Sequence, residues 1–269
     1  IFCQHSEFVE LTAGLMSLRF ISMEHASLLI ENLEVSLSQG LLKPHKKILF
    51  EVSLKVLPAR IYAFLGPNGA GKTTTIKSVL GLLPRFSGKI ELFGREVGDP
   101  ELRSRVGYAP ENAYFSPYLT PREILRSLGY LSGLTRDTLL ERSQSWLELL
   151  GLLEVQDQQV KTFSKGMKQR LALVQALIHD PDLLIFDEPT TGLDPLGRNY
   201  VKEMLRELKK QGKAVFLSSH HLLDVQEICD DFCILNRGKI LLEGSSKDLL
   251  GEKGNLENFF VEKVREDRG

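Results

Sequence analysis

The stretch "GPNGAGKTTT", residues 66–75, follows an apolar run of strand-like composition, "RIYAFL" (60–65). It precedes a run with helical spacing, "IKSVLGLL" (76–83). Gly66, Gly69 and Gly71 remove side chains where the chain must bend tightly, so successive backbone N–H groups can converge on an anion at the start of a helix. Lys72 is then placed to reach the β- and γ-phosphates of a nucleotide, and the Thr73 hydroxyl to ligate magnesium. Gly66, Pro67, Asn68, Gly69, Ala70, Gly71, Lys72, Thr73 and Thr74 make up the candidate nucleotide-binding loop. A G-x-x-x-x-G-K-T spacing needs a strand before it and a helix after it, and both flanks supply that context.

A second element stands further along the chain. "LLIFDEP" (183–189) is an apolar run, as a fully buried strand would be, that ends in two carboxylates and a proline. Acids at the carboxyl end of a central strand face the crevice where α/β sheets bind ligands. Asp187 is therefore a candidate magnesium ligand through water, and Glu188 the candidate group that orients or deprotonates the attacking water.

Around these two elements the chain alternates. Leu28–Leu37 and Ile48–Val56 read as strands joined by a basic hairpin tip. Pro121–Gly151 carries two helical patterns with leucine at three- and four-residue spacing, an inserted helical segment. From "DLLIFDEP" onward strands and helices alternate again through "KAVFLSS" and "HLLDVQEI" to the hairpin "FCILNRGKILL", turning at Arg237–Gly238. The pattern predicts an α/β fold with a mostly parallel sheet covered on both faces. Residues 1–22 are expected to be an upstream extension, because strand-like alternation begins only with "MEHASLLIENLEV" at Met23.

Composition narrows the function. The 34 basic and 35 acidic residues give a net charge of -1, which argues against a general nucleic-acid binder. No apolar run approaches the roughly 18 residues of a membrane span. Cys3, Cys229 and Cys233 are an odd set without a disulfide framework, as in a reducing cytosol. Cys229 and Cys233 lie at a helical spacing that could share a metal, although buried free thiols are the better reading.

In order along the chain, "GPNGAGKTT", "FSKGMKQR", "LLIFDEPTTGLDP" and "FLSSHH" resemble the phosphate-loop, signature, Walker B with D-loop, and switch-histidine segments of ABC transporter ATPase subunits. The resemblance implies a P-loop NTPase (RecA-like) core with an N-terminal antiparallel β subdomain and an inserted α-helical subdomain. It implies an ATPase domain over residues 23–251, helical near 112–165, with a C-terminal amphipathic tail at 252–269. It also implies that Ser164, Lys165, Gly166 and Met167 act in trans on the nucleotide of a second copy. Asp194 would communicate across that dimer, and His220, rather than His221, would contact the γ-phosphate beside Lys72 and Glu188. ATP and magnesium are the implied cofactors. The implied partners are a separately encoded membrane permease and a homodimeric copy or a related ATPase, with no nucleic acid. The implied location is the cytoplasm, peripheral on the inner face of the membrane.

Three departures stand out. The signature reads "FSKGM" where the family has LSGGQ. Glu111 in "VGYAPEN" occupies the usual glutamine position, where a carboxylate can still hold a magnesium-ordered water. No aromatic is available to stack on adenine, since "VSLSQGLLKPHKK" offers only Leu41, Leu42 or His45. The signature helix and the tail "NLENFFVEK" look like those of stand-alone ATPase subunits of bacterial exporters of drugs, lipids or polysaccharides. Leu256, Phe259, Phe260 and Val264 give the tail an apolar face for its own domain. The aromatic stretch "ENAYFSPYL", with Tyr114, Phe115 and Tyr118, is the expected permease-docking surface. A non-transport ATPase acting on ribosomes or DNA, and a nucleotide-gated regulator, are the competing expectations.

Overall fold

The computed structural model describes residues 26–38, 45–251 and 254–267. The expected extension over residues 1–22, and Leu41 and Leu42 of the hairpin tip, lie outside the described residues, as does the side chain of His45. In chain order the elements are β1 (Leu28–Ser38), β2 (His45–Val56), β3 (Ile61–Leu65), α1 (Lys72–Val79), β4 (Ser87–Leu92), β5 (Arg95–Glu96) and β6 (Val106–Ala109). Three helices follow, α2 (Pro121–Leu131), α3 (Arg136–Leu149) and α4 (Lys165–Leu177). Then come β7 (Leu183–Asp187), α5 (Pro195–Lys210), β8 (Ala214–Ser219), α6 (Leu222–Ile228), β9 (Asp231–Asn236), β10 (Lys239–Ser245), α7 (Ser246–Leu250) and α8 (Leu256–Glu266).

Two sheets result. One has the order β2-β1-β4-β5 and is antiparallel throughout; the other has the order β10-β9-β3-β8-β7-β6. In the second, β9 through β6 run parallel and only β10 is antiparallel. The strands β3, β7 and β8 are buried along their whole length, which is why their sequences are apolar without alternation.

The side chains of β3 nevertheless alternate between two cores. Ile61, Ala63 and Leu65 join a cluster that includes residues of α2, α3, α4, α5 and α8. Tyr62 and Phe64 join a cluster with the antiparallel sheet and α1, where both rings lie against Phe216 at centroid distances of 5.9 and 5.4 Å. The phosphate-loop helix and the helical insertion therefore pack on opposite faces of one sheet.

Local signals set the helix starts. Thr120 and Glu123 form a capping box at α2, with Pro121 in its first turn. Ser164 Oγ accepts from the Met167 N–H at 3.1 Å to cap α4, and Asp194 accepts from the Gly197 N–H at 2.8 Å to cap α5.

Two sequence expectations are refined by the packing. The helical spacing of Cys229 and Cys233 is broken because α6 ends at Ile228. Cys229 then enters one core and Cys233, on β9, the other. Burial pushes both thiols above their ordinary pKa, and no group of three or more potential metal ligands is formed among the described residues. The expected aromatic docking stretch divides: Tyr114 and Tyr118 are 93% and 72% exposed, whereas Phe115 packs against the core.

The tail folds back as α8. Leu256 and Val264 are buried, Phe259 and Phe260 pack against the same core, and Phe259 meets Phe232 edge-on at 6.4 Å. Among the described residues no helix is long and apolar enough to cross a membrane.

Candidate functional site

The loop after β3 turns where only small backbone fits. A Cβ on Gly66 would lie 2.4 Å from the carbonyl oxygen of Leu235, and one on Gly71, at φ 116°, would lie 2.6 Å from Leu49. With Gly71 at its N-cap position, α1 has no side-chain cap, so its first N–H groups are left for a ligand.

Lys72 opens α1 and folds back over the loop. Its Nζ donates to Gly66 O at 2.6 Å and lies 3.2 Å from Glu188 Oε1, both side chains being only 7% exposed. The other oxygen of Glu188 accepts from His220. The ring Nδ1 is at 2.7 Å and the backbone N–H at 3.2 Å. A single buried carboxylate is thus shared by a lysine and a histidine.

Asp187 is held differently. Oδ1 accepts from the Ser218 hydroxyl at 2.6 Å, and Oδ2 accepts from the Thr73 hydroxyl at 2.9 Å. Ser218 Oγ in turn accepts from the Glu188 N–H at 2.9 Å. That bond holds Glu188 in a left-handed backbone conformation, φ 53°.

Lys72, Thr73, Asp187, Glu188 and His220 line a cavity of about 320 Å³ with Ile48, Asn68, Gly69, Thr74 and Glu111. A larger groove of about 840 Å³ between α2 and α3 contains no residue of this cluster, and none of this chemistry is built there. The His221 N–H donates to Ser219 Oγ at 2.9 Å, its ring lies 4.2 Å from that of His220, and burial lowers its imidazole pKa.

The structure therefore brings together the loop residues, Asp187, Glu188, His220 and Glu111. It does not bring Ser164, Lys165, Gly166, Met167 or Asp194 into that cavity. Those five lie beside one another elsewhere. Lys165 extends over Gly192, and a Cβ on Gly166 would be 3.3 Å from Leu193, in the turn that leads to Asp194.

Two residues here carry no sequence assignment, Ile48 on the cavity wall and the buried Ser218 behind the two carboxylates. Ser218 is marked only by two serines ending an apolar strand, and Ile48 by nothing more than its place on a strand near the loop.

Comparison with known proteins decides the family. Residues 49–191, just over half of the chain, match the family model described as ABC transporter. This chain belongs to the ABC transporter ATP-binding family. A Synechocystis protein named as an uncharacterized ABC transporter ATP-binding protein is 43% identical over 208 residues, 77% of this chain and 59% of that protein. The chain thus matches only about three-fifths of that relative's length. The Nod factor export ATP-binding protein I of Cupriavidus metallidurans is 38% identical over 76% of this chain and 68% of its own. A solved structure of an ATP-binding subunit of an ABC transporter superposes with a TM-score of 0.78 at 31% identity, covering 88% of this chain and 99% of that one. Membership makes this ABC-family chain an ATP-binding protein on a P-loop α/β fold.

Proposed function

We propose that this chain hydrolyses ATP as the motor subunit of an ABC transporter, acting on a separately encoded membrane permease and closing on a second ATPase copy around the nucleotide. The observation that carries the reading is the Glu188 carboxylate held between Lys72 and His220 at the mouth of the phosphate loop.

The residues divide the work. Backbone N–H groups of Gly69 and of Gly71 to Thr73, at the uncapped start of α1, receive the phosphates, and Lys72 neutralises their charge. Thr73 and Asp187 present two hard oxygen donors whose own contact is 2.9 Å. That donor set suits magnesium, with Glu111 at the cavity edge holding one of its waters. Magnesium, when bound, would supply charge neutralisation between the β- and γ-phosphates. Ser218 fixes the Asp187 carboxylate from behind.

Glu188 accepts the proton of the water that attacks the γ-phosphorus, while the bond to the bridging oxygen breaks and ADP leaves with its electron pair. His220, the residue after β8, holds that carboxylate by ring and backbone. Ser164, Lys165, Gly166, Met167 and Asp194 stand outside their own chain's cavity, which favours a role on the opposite copy's nucleotide.

Export is favoured by relatives named for Nod factor export and for linearmycin resistance in Bacillus subtilis. The exposed Tyr114 and Tyr118 favour a docking site for the permease on the inner membrane face.

Glu188→Gln tests this reading. Glutamine keeps size and polarity but cannot take the proton, so ATP binding is retained while hydrolysis slows by about 10²-fold or more. Light-scattering mass in ATP and magnesium gives a dimer, and in ADP a monomer. Adding Ser164→Arg abolishes the dimer and leaves ATP affinity within about twofold, because the two lie at different corners. An ATP-loaded Glu188→Gln protein that stays monomeric at tens of micromolar overturns the dimer.

A further inference from the structure

The signature helix α4 and the helix α5 begin side by side, and one side chain joins them deeper down. Arg170 lies six residues beyond Ser164, and Tyr200 six residues beyond Asp194. The Arg170 guanidinium sits over the Tyr200 ring at 5.5 Å from its centroid. Six residues are about 9 Å of helix, so this contact fixes how the two helices are rotated relative to one another behind their starts.

The same guanidinium reaches a third helix. Nη1 donates to Leu150 O at 2.6 Å and to Gly151 O at 3.3 Å, carbonyls at the C-terminal end of α3 that have no helical partner of their own. A cation there also matches the negative end of the α3 dipole. Gly151 is at φ 63°, and a Cβ there would come within 2.7 Å of Tyr200 and 3.0 Å of Arg170 Nη1, so the three-way joint closes only over glycine. Nε is buried and unpartnered among the described residues. The half-buried guanidinium is thus held by Nη1 on the two carbonyls and by the ring.

We propose that Arg170 is the positioning residue that sets the Ser164–Met167 start against the Asp194 turn, so that the two present one composite face to a second copy of the chain. It rests on the dimer reading given above. Arg170 touches no phosphate-loop residue. Its effect is therefore on closure and not on nucleotide capture by one subunit.

The test uses the full chain carrying Glu188→Gln, with dimerisation in ATP and magnesium read by light scattering across a protein dilution series. Arg170→Lys keeps the charge but loses the planar fork and the stacking, and raises the dimerisation midpoint about tenfold. Tyr200→Leu removes only the ring, and raises it about threefold. The double variant is no weaker than Arg170→Lys alone, since both remove one contact. ATP affinity of the dilute monomer, by fluorescence titration, stays within about twofold in all of them.

A parent that dimerises while both single variants dimerise within twofold of it overturns this inference alone. A parallel fall in ATP affinity also overturns it, because the joint would then be a general support of the fold. A parent that remains monomeric overturns the dimer reading and this inference with it.

Discussion

Two helix starts in this molecule use the same device and finish differently. At α1 the N-cap position is Gly71, no side chain caps the helix, and Lys72, Thr73 and Glu188 surround the free N–H groups inside a cavity. At α4 the cap is Ser164, already bonded to its own Met167 N–H, and the following Lys165 is exposed. The first corner collects its charged groups from four separate segments of the same chain. The second corner is a finished helix end on the surface, with nothing of its own chain to bind. In the proposed dimer a complete nucleotide site takes both, so the first can be tested in one subunit and the second only across an interface.

The largest expected effect falls on the first corner alone. Lys72→Ala removes the buried ammonium that links the loop carbonyl to Glu188, and with it the side-chain cation proposed to neutralise the phosphates. ATP affinity drops about 10²-fold or more by calorimetric titration. Retained affinity would break the comparison, because the loop backbone would then suffice, as at any helix start.

Ser218→Ala sharpens it at intermediate size. The Glu188 N–H loses its buried acceptor and Asp187 loses a donor. The variant unfolds more easily by about 1–3 kcal/mol in a denaturant titration. Its hydrolysis falls about tenfold with KM for ATP little changed. A fall in stability with unaltered turnover would make Ser218 a packing residue only.

The smallest effect is at the far end of α4. His179 has its Nε2 at 3.1 Å from Val106 O, and burial lowers its imidazole pKa below the ordinary value. The unfolded chain therefore binds the proton first as pH falls. Stability decreases as pH drops from about 6.5 toward the lowered native pKa, and is unaffected above. His179→Gln flattens that stretch of the thermal-unfolding profile by about 1–3 °C and leaves nucleotide binding alone. An unchanged profile would place the pH dependence elsewhere.

Much of this was legible in the sequence because the responsible interactions are local. The glycines and Lys72 of the loop, the strand ending in Asp187 and Glu188, and the Ser164 start of α4 are each set within a few residues of one another. What was not legible depends on long-range pairing. Ser218 acquires its place only when β8 lies beside β7, and the Glu188–Lys72 pair spans the sheet between two loops. Arg170 reads as one more polar residue on a helix until α3 and α5 arrive around it. Cys229 and Cys233 are buried free thiols, the better of the two readings their sequence offered, and the helix that would have aligned them stops after Ile228 and hands the chain to a strand. Glu111 of "VGYAPEN" lies at the cavity rim.

The left-handed backbone at Glu188 has a consequence for anyone who would improve this protein. A non-glycine residue at φ 53° carries roughly 1–2 kcal/mol of conformational strain that glycine would not. Glycine would relieve that strain, but it would delete the proposed proton acceptor and leave the Lys72 ammonium, only 7% exposed, without its carboxylate, a loss of about 3–5 kcal/mol. Heat resistance and the proposed chemistry therefore pull this position in the same direction, and a selection for survival of heating alone keeps the carboxylate.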